Sequence, residues 1–149
     1  LPFSTPVAMV LWITGASVHL IVALIVLTRW ICGDNPRDQL SPALFLPLAG
    51  IVIGPAVGAP LGFIELSWQM FAIGIILWPV VMALLFERLF FGAKPRDDEW
   101  PLLAILITPP ALAFMSYCEL QQHRLDPFGH ILFYAAVFFL LANVALAAV

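Results

Sequence analysis

The sequence has few charged residues: Asp, Glu, Lys and Arg make up 10% of its 149 residues, against roughly a quarter in soluble domains. The formal net charge of −3 lies in the loops and says little about partners, and no nucleic-acid partner is expected. The two cysteines, Cys32 and Cys118, lack metal-ligand spacing, and we expect no metal or other cofactor. There is no paired-carboxylate site, phosphate-binding loop or nucleophile elbow. The sequence therefore predicts a protein that is not an enzyme.

Apolar residues, in contrast, make up 63% of the chain. A soluble fold of this length could not bury so much apolar surface, so we expect an all-α integral membrane protein with one transmembrane domain over 1–149. Charge-free windows of spanning length predict five transmembrane helices, at about 7–30, 42–62, 66–91, 101–118 and 127–149. Because the chain starts at Leu1 and its last residues form an apolar run, we expect an internal piece of a longer protein.

Basic residues distinguish the two sides of the membrane. All Lys and Arg except Arg124 fall in or beside the first and third connections, at Arg29, Arg37, Arg88, Lys94 and Arg96. Because cytoplasmic loops carry an excess of Lys and Arg, this pattern predicts that the loops 31–41 and 92–100 are cytoplasmic. The first predicted helix then begins on the outer side and the fifth ends on the inner side.

The chain also repeats itself at a shift of 59 residues. Gly15, Arg29, Gly33 and Pro36-Arg37-Asp38 align with Gly74, Arg88, Gly92 and Pro95-Arg96-Asp97. The repeated unit contains two helices, so successive copies keep one orientation, as in repeats related by an axis along the membrane normal. Hairpins arranged around such an axis would enclose a central space. The first, third and fifth helices are then of one type, and the second and fourth of another.

The second and fourth predicted helices are interrupted by proline and glycine. Such breaks leave backbone groups without helical partners, and a membrane protein tolerates them beside other protein or a water-filled cavity. Pro109-Pro110 lies at the middle of the fourth helix, and glycine recurs at every fourth position from Gly50 to Gly62 in the second. We therefore predict a pathway beside these two helices. Its candidate lining residues are Pro47, Gly50, Gly54, Pro55, Gly58, Thr108, Pro109, Pro110, Ala111 and Phe114.

Two features also have a purely structural explanation. The glycines of the second helix can form a small-residue face for close helix packing. His19, near the centre of the first helix, is an ionisable group inside the membrane and so a functional candidate, but a neutral imidazole bonded to a neighbouring helix also fits. Ser17 with His19 is too weak a pair to predict nucleophilic catalysis.

Motifs from the end of the second helix to the start of the fifth resemble those of a known family. They are Gly62-Phe63-Ile64-Glu65-Leu66-Ser67-Trp68, Phe71-Ala72-Ile73-Gly74, Arg88-Leu89-Phe90-Phe91, Leu103-Ala104-Ile105-Leu106-Ile107-Thr108-Pro109-Pro110-Ala111 and Leu125-Asp126-Pro127-Phe128. In this order they resemble the tellurite-resistance (TehA) and C4-dicarboxylate transporter family, bacterial relatives of plant slow-type anion channels. The resemblance covers nearly all of this chain, which corresponds to about half of a family member.

The resemblance implies ten helices, arranged as five hairpins in a ring, with the odd-numbered helices lining a central pore in each protomer of a homotrimer. On that template the five helices here correspond to helices four to eight, so the second and fourth would line the pore. The family's gating phenylalanine lies on the ninth helix, which the template places beyond this chain. The resemblance also implies the bacterial inner membrane, with small inorganic or dicarboxylate anions as the transported species.

We therefore expect an anion channel or transporter subunit embedded in the lipid bilayer. No basic residue lies deep within a predicted helix, so anion preference rests on the resemblance and not on a ring of Lys or Arg. The alternative is a non-conducting structural membrane subunit that scaffolds a partner.

Overall fold

The computed structural model describes residues 5–33, 45–91 and 100–147. Within these ranges the chain forms five α-helices: α1 (Thr5–Cys32), α2 (Phe45–Gly58), α3 (Ile64–Phe91), α4 (Thr108–Leu120) and α5 (Pro127–Ala147). A 3₁₀ segment (Trp100–Ile107) leads directly into α4. The described residues form no strand, and the predicted all-α membrane class is confirmed. The two loops predicted to be cytoplasmic lie mostly outside the described residues.

The helices fall into two length classes. α1 and α3 each have 28 residues and α5 has 21. At ~1.5 Å per residue, all three can cross a hydrocarbon core of about 30 Å. These three helices are also apolar enough to span a membrane, whereas α2 has only 14 residues and α4 only 13. The two short helices are the second and fourth, which the sequence predicts to be interrupted by proline and glycine, although Pro79 also lies inside the long helix α3.

A tight turn joins α2 to α3. Backbone hydrogen bonds of 3.0 Å run from the Gly62 N–H to the Ala59 carbonyl and from the Phe63 N–H to the Gly58 carbonyl. Gly62 has a φ of +92°, in the left-handed region that glycine adopts without steric cost. Helix α2 therefore ends at Gly58, and the last residues of the window 42–62 form the turn.

A change of helix type accommodates the double proline. Pro109-Pro110 lies in the first turn of α4, after the cap residue Ile107. The N–H groups of a first turn have no helical partner, so proline there removes no hydrogen bond, and its fixed φ suits the helix. The residues before it form the 3₁₀ segment. The window predicted as one helix over 101–118 is thus divided at Thr108 into two kinds of helix.

Helices α2 and α4 pack on each other, and the three long helices pack around them. α2 also contacts α1 and α3, while α4 also contacts α3 and α5. A buried cluster joins α2, α3, α4 and α5 through Val52, Phe71, Ala113, Tyr117 and Leu132. Helix α1, by contrast, has no fully buried residue. We refer to α2 and α4 as the inner helices and to α1, α3 and α5 as the outer helices.

Candidate functional site

The glycines of α2 face side chains of the outer helices. The contacting pairs are Gly50 with His19, Gly54 with Met70, and Gly58 with Trp12 and Ser67. At each of these glycines an added Cβ would overlap the facing side chain. The rings at Gly50 and Gly58 are rigid, so the close approach of α1 to α2 requires glycine there, whereas at Gly54 the flexible end of Met70 can move aside. This placement favours the packing explanation for the glycines. The other candidate near the start of α2, Pro47, lies in its first turn.

Pro55 interrupts the hydrogen bonding of α2 between these glycines. It is less than 2% exposed, and because proline has no N–H, a carbonyl one turn earlier loses its helical partner. Side chains from two other helices donate to carbonyls in the same turn. Trp12 Nε1 donates to the Gly54 carbonyl at 2.9 Å, and the Ser116 hydroxyl donates to the Val52 carbonyl. The carbonyl that Pro55 leaves without its helical partner is that of Ile51, which is 0% exposed, so the break is enclosed by protein, as a break inside a membrane requires.

The candidates on α4 lie on different faces of the helix. Pro109-Pro110 is buried. Phe114 packs against Phe133 of α5, with the ring centroids 5.4 Å apart. Thr108 and Ala111 are only half-buried. The structure therefore does not bring all the candidates to one surface.

Each inner helix keeps one uncovered stripe. Val57 on α2 and Met115 on α4 are both 53% exposed, and no other described side chain of these helices is exposed. Half-buried residues one or two helical turns away from Val57 or Met115 extend each exposed position into a stripe along its helix. We define the bare stripes as Ile53 and Val57 on α2 and Thr108, Ala111, Met115 and Cys118 on α4. Sequence reasoning included Thr108 and Ala111 but missed Val57 and Met115, although Met115 follows Ala111 at the spacing of one helical turn.

A polar cluster ties α4 to α5 at the end of their connection. The Tyr117 hydroxyl donates to Asp126 Oδ2 at 2.6 Å, and the Gly129 N–H donates to Oδ1 at 2.9 Å. Gln121 Nε2 donates in turn to the Tyr117 oxygen at 3.0 Å. The hydrogen bond from Tyr117, and then that from Gly129, lower the pKa of the Asp126 carboxyl because they stabilise its charged form. The carboxylate also caps the first turn of α5, so this cluster fixes the α4–α5 hairpin.

His19 and Ser17 do not form a reactive pair. The His19 ring lies against Gly50, and its buried Nδ1 has no hydrogen-bond partner among the described residues. Ser17 is exposed on α1. Across 5–33, 45–91 and 100–147, no group of three or more His, Cys, Asp or Glu residues is placed to hold a metal ion.

Two short inner helices with prolines, packed among three outer helices of membrane-spanning length, define a multi-pass helical membrane protein. The chain belongs to the SLAC1 voltage-dependent anion channel family, whose model matches residues 2–149. This match confirms the family resemblance drawn from the sequence motifs. At the level of the family, the function is that of an anion channel or transporter and not of an enzyme. A comparison with curated proteins gave no significant match.

Proposed function

We propose that this chain forms part of the wall of an anion pathway and that α2 and α4 line it. The observation that carries the proposal is the layering of the helices. α2 and α4 pack on each other, the outer helices pack around them, and one bare stripe remains on each. A helix with interrupted hydrogen bonding belongs beside protein or a water-filled cavity and not against lipid. This suits α2, which Pro55 interrupts, to the inner position, and α4 packs directly on α2.

Under this proposal the sequence candidates act in two ways. Thr108 and Ala111 lie on the bare stripe of α4 and line the pathway directly, together with Met115 and, on α2, Val57. The other candidates shape the wall from behind, by allowing close packing or by setting the course of the backbone: Pro47, Gly50, Gly54, Pro55, Gly58, Pro109, Pro110 and Phe114.

We infer that small inorganic or dicarboxylate anions are the transported species, because the family is one of anion channels. The bare stripes contain no charged side chain. Passage along them would therefore depend on the width of the pathway and on backbone and hydroxyl dipoles, and not on a ring of fixed positive charge.

For the complete assembly we propose a ring of five hairpins, in which this chain supplies helices four to eight of ten. The shift of 59 residues supports this arrangement, because it relates the hairpin that contains α2 to the one that contains α4. We further propose a homotrimer in the bacterial inner membrane, with the loops 31–41 and 92–100 on the cytoplasmic side, as the basic residues indicate.

Anion flux in liposomes tests the proposed function. The protein, expressed from its complete coding sequence and reconstituted, should release entrapped chloride, nitrate or malate faster than protein-free liposomes under an imposed potential. A monodisperse, thermally stable preparation that passes none of these anions would instead support the non-conducting structural subunit.

A further inference from the structure

Two backbone carbonyls of α2 are bonded by side chains from other helices. Ser116, on α4, donates to the Val52 carbonyl, and Trp12 Nε1, on α1, donates to the Gly54 carbonyl at 2.9 Å. Both carbonyls lie in the turn that precedes Pro55, whose missing N–H leaves the Ile51 carbonyl without its helical partner. The two donors thus act in the turn of α2 that has lost one of its own hydrogen bonds.

The contact between Ser116 and Val52 is fully buried. Ser116 is 0% exposed and Val52 is 2% exposed. The Val52 side chain also lies against Gly74 of α3, where a Cβ would overlap it. One residue of α2 is therefore held by α3 through its side chain and by α4 through its carbonyl, which fixes the position of α2 relative to both helices beside the break.

We propose that Ser116 and Trp12 are positioning residues for anion selectivity, an inference that rests on the proposed function. Carbonyl oxygens that face a pathway coordinate cations, as they do in the selectivity filters of potassium channels. By bonding the carbonyls of Val52 and Gly54, the two donors keep these oxygens directed into the protein. The wall formed by α2 then offers neither of these two carbonyls to a cation. Neither donor needs to contact the anion.

The chain contains a matched control for each donor. Ser67 is 0% exposed, like Ser116, but its hydroxyl has no hydrogen-bond partner among the described residues. The buried Nε1 of Trp78 likewise has no partner there. Ser67→Ala and Trp78→Phe therefore remove the same chemical groups as Ser116→Ala and Trp12→Phe without freeing a carbonyl. Trp12→Phe also keeps an aromatic ring where Trp12 stacks on Phe63, with centroids 5.1 Å apart.

The test is the reversal potential of the complete protein in planar bilayers under a potassium chloride gradient. Wild type, Ser67→Ala and Trp78→Phe should reverse close to the chloride equilibrium potential. Ser116→Ala and Trp12→Phe should reverse closer to the potassium potential, with a severalfold rise in the permeability of potassium relative to chloride, because a carbonyl oxygen that loses its side-chain donor has a lone pair available to bind a cation. Ser116→Thr, which keeps the hydroxyl, should stay near wild type.

The outcomes separate this inference from the function on which it rests. If Ser116→Ala and Trp12→Phe conduct with the wild-type reversal potential, the inference is overturned and anion conduction stands. If the wild-type protein is itself not anion-selective, the proposed function fails and the inference fails with it. If Ser116→Ala does not fold, the reversal potential of Trp12→Phe is compared with that of Trp78→Phe, and equal values overturn the inference.

Discussion

The imidazole of His19 lies directly against Gly50, so that a side chain of α1 occupies the space where α2 would otherwise carry a Cβ. This contact explains both residues together. Glycine at this position allows α1 to approach, and the imidazole fills the space that the missing side chain leaves. His19 is thereby packed against α2 at position 50 and leaves no room there for a larger side chain.

The first prediction concerns this contact. Gly50→Ala should destabilise the protein, because the new methyl group meets the imidazole, and overpacking of this kind typically costs about 1–3 kcal/mol. Gly15→Ala is the matched control, since nothing lies within 4 Å of a Cβ at that position. The measurement is the midpoint of thermal unfolding in detergent.

A double variant separates this contact from a general defect. His19→Ala removes the obstructing ring, so Gly50→Ala should cost less in a His19→Ala background than in wild type. Equal costs in the two backgrounds would show that the methyl group does not meet the imidazole.

The second prediction concerns acid stability at the α4–α5 hairpin. Hydrogen bonds lower the folded-state pKa of Asp126 below its ordinary value of 3.8. Its ionised carboxylate therefore stabilises the folded state above pH 3.8, and this contribution is lost as the pH falls through the lower folded-state pKa. Tyr117→Phe, which removes the main hydrogen bond to Asp126, should make the unfolding midpoint less dependent on pH in the acid range.

Tyr134→Phe is the control for that variant. Tyr134 is 63% exposed on α5 and takes no part in the Asp126 cluster, so its loss should leave the acid dependence as in wild type. If both tyrosine variants keep the wild-type acid dependence, the hydroxyl of Tyr117 does not set the pKa of Asp126.

The third prediction concerns orientation. In a background without Cys32 and Cys118, a single cysteine at the exposed Arg124, in the loop that holds Asp126, should react with a membrane-impermeant reagent in intact cells. A cysteine at Lys94 should react only after permeabilisation, because the basic residues place that loop in the cytoplasm. The reverse labelling pattern would invert the topology and remove the correspondence with helices four to eight.

The sequence predicts the class of the fold and the identity of the two inner helices, because hydropathy and helix-breaking residues are local signals. Pro109-Pro110 marks a break in the sequence, but the spacing of the apolar residues does not show what lies on either side of it. In the structure a 3₁₀ segment precedes the prolines, and the prolines lie in the first turn of a new helix. The spacing of the glycines shows that Gly50 shares a face with its neighbours, yet it does not show that His19 occupies that face.

The residues that the sequence analysis missed depend on contacts between distant parts of the chain. Ser116 and Val52 belong to different helices, and nothing near either residue indicates the hydrogen bond that joins them. Val57 and Met115 are ordinary apolar residues in apolar helices. Their distinction is that the neighbouring helices leave them exposed, and only the packing of α1, α3 and α5 determines this.

The fourth prediction concerns the wall itself. Ala111→Leu adds bulk on the bare stripe of α4 and should reduce anion flux severalfold by narrowing the pathway. Ala72→Leu makes the same change at an exposed position of the outer helix α3 and should leave the flux near wild type. Equal anion flux through both variants, at equal thermal stability, would show that α4 does not line the pathway.

The most direct test of the central claim uses two valines with the same exposure. Val57 on the inner helix α2 and Val80 on the outer helix α3 are both 53% exposed, so tryptophan fits at either position without overpacking a buried site. Anion flux would be measured in liposomes for the complete protein carrying Val57→Trp or Val80→Trp, after both show wild-type unfolding midpoints. If the inner helices line the anion pathway, Val57→Trp should lose flux severalfold and Val80→Trp should keep wild-type flux. Wild-type flux through Val57→Trp, with a loss of flux in Val80→Trp, would contradict the claim that the inner helices line the pathway.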